Sequence, residues 1–213
     1  MQREAVEEYG QTQSRPTGIY CMSIIGQIEG HQILPEETKT TKYEHILPQL
    51  AEIEQSSEIS GVLFLLNTAG GDIEAGLAIA EMIAGMQKPT VSLVLGGGHS
   101  IGIPLAVSAK YTLIAPTATM TVHPVRMTGV VIGVEQTYNY FAKVQDRIVD
   151  FVTRCSRVKR LEFVRLMENV GEMAADVGTI LSGAEAVKLG LVNKVGTLSD
   201  ALAALNKQID KKR

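Results

Sequence analysis

The chain has 213 residues, 45% of them hydrophobic and 20% charged, with a formal net charge of −3. That size and apolar content predict one well-cored domain, and the slight acidity argues against a nucleic-acid-binding role, which carries a basic excess. Two cysteines, Cys21 and Cys155, make neither a disulfide framework nor a metal-ligand pattern, so free thiols in a reducing cytoplasm are expected.

Residues 1–17 are polar and expected to be mobile, with 18–213 as a single domain. The first nine residues are rich in Glu and lack the apolar stretch of a signal peptide. Residues 18–28 alternate as a strand, and 31–42, with Pro35 among Glu, Thr and Lys, read as a surface loop. Ile46, Leu47, Leu50 and Ile53 recur at helical spacing in residues 42–55, with Pro48 near the first turn. The apolar run Gly61-Val62-Leu63-Phe64-Leu65-Leu66 is β-like, and residues 75–86 form an apolar helix that Lys88-Pro89 ends.

Residues 89–109 carry no formal charge and are long enough to span a bilayer. Gly96-Gly97-Gly98, His99, Ser100 and Pro104 interrupt them, so a strand, a glycine bend and a buried helix over 101–109 are expected instead of a membrane span. Short strands follow at 111–115 and 118–122. A long amphipathic helix over 134–154 has Tyr138, Phe141, Ile148 and Val152 on one side and Lys143, Asp146 and Arg147 on the other. Another helix spans 157–169, with Leu161, Val164 and Leu166 inward. Ser182 with Glu185 makes a capping box for a short helix ended by Gly190. A last helix over 198–209 has Lys211-Lys212-Arg213 at the negative end of its dipole.

Three motifs, each just past a β-like run, carry chemistry: Asn67-Thr68-Ala69-Gly70-Gly71-Asp72, Gly98-His99-Ser100-Ile101-Gly102 and Met120-Thr121-Val122-His123-Pro124. The second fits G-x-S-x-G, a bend from strand to helix that exposes a serine hydroxyl. Such a hydroxyl needs a neighbouring base, and histidine titrates in the right range. The amides of Gly71 and Ile101 would form an oxyanion hole. His123 is the only histidine after Ser100, and no acid lies between them, which excludes the Ser–acid–His order of an α/β-hydrolase. His99 adjoins Ser100 but should point away from it, as a structural or pocket-lining residue. Gly96-Gly97-Gly98 is no phosphate loop, because no Gly-Lys-Ser/Thr follows, so no ATP hydrolysis and no cofactor are expected.

These motifs, with Ser182-Gly183-Ala184-Glu185-Ala186-Val187, resemble the ClpP family of self-compartmentalised serine peptidases. From about Gly26 onward, with Gly96-Gly97-Gly98-His99-Ser100-Ile101-Gly102, His123-Pro124-Val125-Arg126 and Asp176-Val177-Gly178-Thr179 as particular marks, the chain is similar to a Gram-positive branch of that family linked to protein export. The resemblance implies an α/β, ClpP/crotonase-like fold of repeated ββα units with a helical handle in the C-terminal half, here the helix over 134–154. It implies a serine endopeptidase acting on peptides or unfolded polypeptides, in a heptameric ring or stacked rings. An ATP-dependent unfoldase or export machinery would be the partner. The loop over 31–42 is longer than is usual in that family.

Ungapped alignment on the Ser182 segment puts Gly178 where the family has the aspartate that orients its histidine. Asp176 is the nearest upstream carboxylate and the candidate third member, Glu172 a more distant one, and a Ser100–His123 dyad the alternative. Two other functions fit the motifs: a crotonase-type acyl-CoA enzyme, which shares the glycine oxyanion hole, and a non-proteolytic ring scaffold.

Overall fold

The computed structural model describes residues 12–14, 18–171 and 177–212. Parallel strands form the middle of one sheet: β2 (Ile19–Glu29), β4 (Gly61–Gly71), β5 (Thr90–Gly98), β6 (Tyr111–Ile114) and β9 (Lys194–Val195), side by side in that order. The short β1 (Thr12–Ser14) pairs antiparallel with the start of β2, and β3 (Thr40–Lys42) pairs parallel with its end. A second layer branches from the sheet: β7 (Thr119–Val122) meets β5 at Gly97↔Thr119 and runs antiparallel to β8 (Thr179–Ser182).

The apolar run of β4 is continuous because both faces of the sheet are covered. Val62, Phe64 and Leu66 face the larger core, which also holds the buried faces of α1 (Tyr43–Gln55), α2 (Ile73–Gly85) and α3 (Gly102–Val107). Leu63 faces the other side, where Ala201, Leu205 and Ile209 of α7 (Leu198–Lys212) pack against Ile19, Val91, Leu93 and Leu113. Around the larger core stand α4 (Val134–Cys155), α5 (Arg160–Met167) and α6 (Gly183–Lys188). The α/β class expected from the sequence is borne out.

Several local expectations change. Part of the segment expected to be mobile forms β1, at Thr12–Ser14. The loop over 31–42 ends in β3, where the Thr41 hydroxyl donates to the Ile25 carbonyl and accepts from the Ile25 N–H. Helix α5 turns Phe163 and Met167 inward, while Leu161 is 66% exposed. The apolar stripe of α4 is buried only from Val144 onward, and Tyr138 stands in solvent. Two strands, β8 and β9, were not anticipated. The capping box at Ser182 and Glu185 is present as read.

Two ion pairs fasten the buried half of α4 to α2: Arg147 holds Glu74 through both guanidinium nitrogens, and Arg154 holds Glu81. All four side chains are about half exposed, so each pair adds only about 0.2–1 kcal/mol. Their effect is to fix where α4 lies beside the helix that begins just after Gly71. No helix among the described residues is long and apolar enough to cross a membrane.

Candidate active site

The ends of β4, β5 and β7 meet at one place. Thr68, only 2% exposed, ties the ends of β4 and β5 to β2: its hydroxyl donates to the Gly26 carbonyl and accepts from the Gly70 N–H, and its carbonyl accepts from the His99 N–H. Asn67 Oδ1 accepts from the Gly97 N–H at 2.9 Å. The backbone therefore turns at Gly70 and Gly71 (φ +93° and +149°), values that side chains rarely adopt. Next in the chain, Asp72 caps α2 by accepting from the Ala75 N–H at 2.8 Å.

Ser100 follows β5 and leads into α3 with φ of +56°, the only non-glycine residue at positive φ among the described residues. Such a conformation costs about 1–3 kcal/mol and persists only where the surroundings enforce it. Here the Ser100 N–H donates to the Thr121 carbonyl at 2.9 Å, and its own carbonyl accepts from the Ile103 N–H at 3.0 Å. This is the geometry of a nucleophile elbow.

His99 points away from the hydroxyl, under Gly97, and shares a 2.8 Å hydrogen bond with the Thr121 hydroxyl. Burial holds its imidazole below the ordinary value, and the nearby His123 pushes it the same way. It is neutral near pH 7 and braces the strand that holds the Ser100 amide.

His123 leaves β7, and its Nδ1 lies 2.7 Å from the Pro124 carbonyl oxygen. A carbonyl oxygen only accepts, so Nδ1 carries the proton and Nε2 of the neutral ring is the basic nitrogen. Ser100, His123, Gly71 and Ile101 line one cavity of about 250 Å³, with Ile103, Val122, Phe163 and Met167 among its apolar walls. The four residues proposed from the sequence for nucleophile, base and oxyanion hole are thus brought to one pocket.

Asp176 and Glu172, the candidate acids, lie outside the described residues. What flanks them is informative. Val170 and Val177 form a β-bridge, and the Gly178 N–H donates to the Asn169 carbonyl at 2.8 Å. Gly178 (φ +138°) lies directly against the histidine: a Cβ on it would stand 2.4 Å from the Val122 carbonyl oxygen and 2.9 Å from His123 Cβ. Position 178 is therefore packed against the base of the His123 side chain and has no room for a carboxylate. The sequence reading missed β8, which brings this segment to His123. Thr179-Ile180-Leu181-Ser182 runs polar, apolar, apolar, polar, with Thr179 buried and Ile180 exposed, so no alternation in the sequence announces the strand.

The Clp protease family profile matches residues 17–199. The chain belongs to the Clp protease family. It is 53% identical to the translocation-enhancing protein TepA of Halalkalibacterium halodurans, over 99% of this chain and 83% of that protein. It is 24% identical to ATP-dependent Clp protease proteolytic subunit 1 of Chlamydia muridarum, over 70% of this chain and 77% of the relative. The ATP-dependent Clp protease proteolytic subunit of Leuconostoc citreum is 29% identical over 94 residues, 43% of this chain and 46% of that protein. The ClpP-like and TepA-like resemblance seen in the motifs is borne out. Within this Clp-family fold, the glycine at 178 and the His-Pro pair at 123–124 are the local features that a mechanism has to accommodate.

Proposed function

We propose that the chain is a serine endopeptidase in which Ser100 is the nucleophile and His123 the general base. The observation that carries this is the strained Ser100 elbow opening on the same cavity as His123, whose basic nitrogen is Nε2. Ser100 Oγ bonds to the scissile carbonyl carbon as Nε2 takes its proton. The oxyanion is assigned to the N–H groups of Gly71 and Ile101, which line the same cavity. Collapse breaks the C–N bond, and the imidazolium returns the proton to the leaving amine. Water, activated by the same imidazole, then releases the acyl group. A cavity of about 250 Å³ falls below the roughly 300–1,000 Å³ that buries a drug-sized ligand, which favours an apolar peptide side chain over an acyl-CoA. Turnover of fluorogenic peptides, with CoA thioesters inert, is the expected result. The reverse pattern overturns the assignment.

The third member of the site is assigned to Asp176, two residues before the glycine that abuts His123. Asp176→Asn should lower kcat by on the order of a hundredfold or more while leaving thermal unfolding unchanged. Full turnover in that variant would give the orienting role to the Pro124 carbonyl and leave a Ser100–His123 dyad.

We place this peptidase in a ring, heptameric or doubly stacked. The support is a run of apolar side chains left in solvent: Val130 (89% exposed), Ile132 (88%), Val134 (79%) and Tyr138 (73%), at the start of α4. A monomer by light scattering at micromolar concentration would reject it. The cytoplasm suits its two free thiols. An unfoldase partner and a part in protein export, the latter suggested by the name of the TepA relative, complete the reading.

A further inference from the structure

The cavity beside Ser100 has thirteen uncharged or histidine neighbours and one formal charge among the described residues that line it, Arg126. Ile103, Val122, Ile148, Phe163 and Met167 supply apolar wall, and no carboxylate is among the described residues that line it. Arg126 stands three residues past His123 on the same segment, which is pinned to α4 by the Val125 N–H donating to Gln145 Oε1 at 3.2 Å. Its side chain is exposed, at the mouth of an apolar recess. A guanidinium offers five N–H donors in a planar fork that matches a carboxylate, so contacts to the protein leave donors for a ligand. Bordering apolar walls keep water away from one side of such a pair, which strengthens it.

Resting on the peptidase reading above, we propose that Arg126 is a specificity-determining residue that selects substrates carrying a carboxylate close to the scissile bond. The apolar recess takes the neighbouring side chain, and the guanidinium takes the carboxylate. That carboxylate is either an Asp or Glu side chain or the free C-terminus of a peptide cut near its end.

The test is a set of fluorogenic peptides with one apolar residue at the cleavage point and Glu, Gln or Lys beside it, each with a free or an amidated C-terminus. The wild type is expected to favour the carboxylate-bearing member by on the order of ten- to a hundredfold in kcat/KM, carried mainly by KM. A side-chain carboxylate gives Glu over Gln whatever the terminus, and a terminal one gives free acid over amide whatever the neighbour. Arg126→Gln should flatten the preference and Arg126→Glu should turn it toward Lys. Each ratio is taken within one variant, so partial loss of folded enzyme cancels. Added salt should shrink the wild-type ratio, a readout that needs no variant. Equal cleavage of the whole set by the wild type, or a preference that survives in Arg126→Gln, overturns the role of Arg126 and leaves the peptidase intact. A wild type that cleaves none of these peptides and takes no fluorophosphonate overturns the peptidase reading, and this proposal with it.

Discussion

Ser100→Ala is expected to lower peptide turnover by on the order of 10⁴-fold or more, and His123→Ala by a similar factor, because nucleophile and base act as one unit and removing either disables both. A fluorophosphonate should add once to the wild type, at Ser100, as read by intact mass. Neither variant should be labelled. The reason lies in the elbow: φ of +56° at Ser100 is maintained by the bonds to Thr121 and Ile103, and Ser100 lines the same cavity as His123, whose basic nitrogen is Nε2. Loss of the hydroxyl changes none of those backbone bonds, so thermal unfolding should stay near wild type. Labelling that persists in Ser100→Ala would place the reactive serine elsewhere and remove the site described here.

Gly70→Ala should cost on the order of a hundredfold in kcat/KM, through displacement of the nucleophile. A Cβ at position 70 would lie 2.6 Å from Ser100 Cβ and 3.1 Å from its Oγ, closer than side-chain carbons approach. Either the elbow or the Gly70–Gly71 turn has to move. The left-handed backbone there adds about 1–2 kcal/mol of strain, a shift of several degrees in Tm that a calorimeter resolves. Gly85→Ala is the matched control. Gly85 closes α2, and a Cβ on it would meet nothing within 4 Å, so activity should hold and stability rise slightly. Wild-type activity in Gly70→Ala would mean that the loop and the serine are not packed as described.

The order of the strand-end motifs was legible in the sequence because each is set by local rules. Glycine pairs permit turns at positive φ, an apolar run before a bend marks a strand end, and a serine followed by a small-residue helix marks an elbow. Ser182 and Glu185 announced a helix start through bonds that span three residues. Even His99 was read correctly as facing away from the nucleophile, since neighbouring side chains diverge. Asn67, Gly70 and Gly71 stood out for the same reason.

What the tertiary structure decided lies across the sheet or across the site. Strand β8 has four residues and, among the described residues, pairs with β7 alone, some sixty positions earlier, so its existence depends on that partner and no polar–apolar alternation announces it. That pairing puts Gly178 against His123, which turns a glycine-for-aspartate mismatch in an ungapped alignment into a steric fact about where no carboxylate fits. Leu161 faces solvent and Phe163 the core because the surface under α5, and not the helical period alone, selects the inward stripe. Thr68 meets three strand ends and Arg126 an apolar recess through neighbours far away in the chain, whereas the Pro124 carbonyl meets the imidazole of the residue beside it. A residue's local sequence fixes the conformations it accepts. Which partners it meets in them is set by packing of segments far apart in the chain, and that is where the specificity of this site resides.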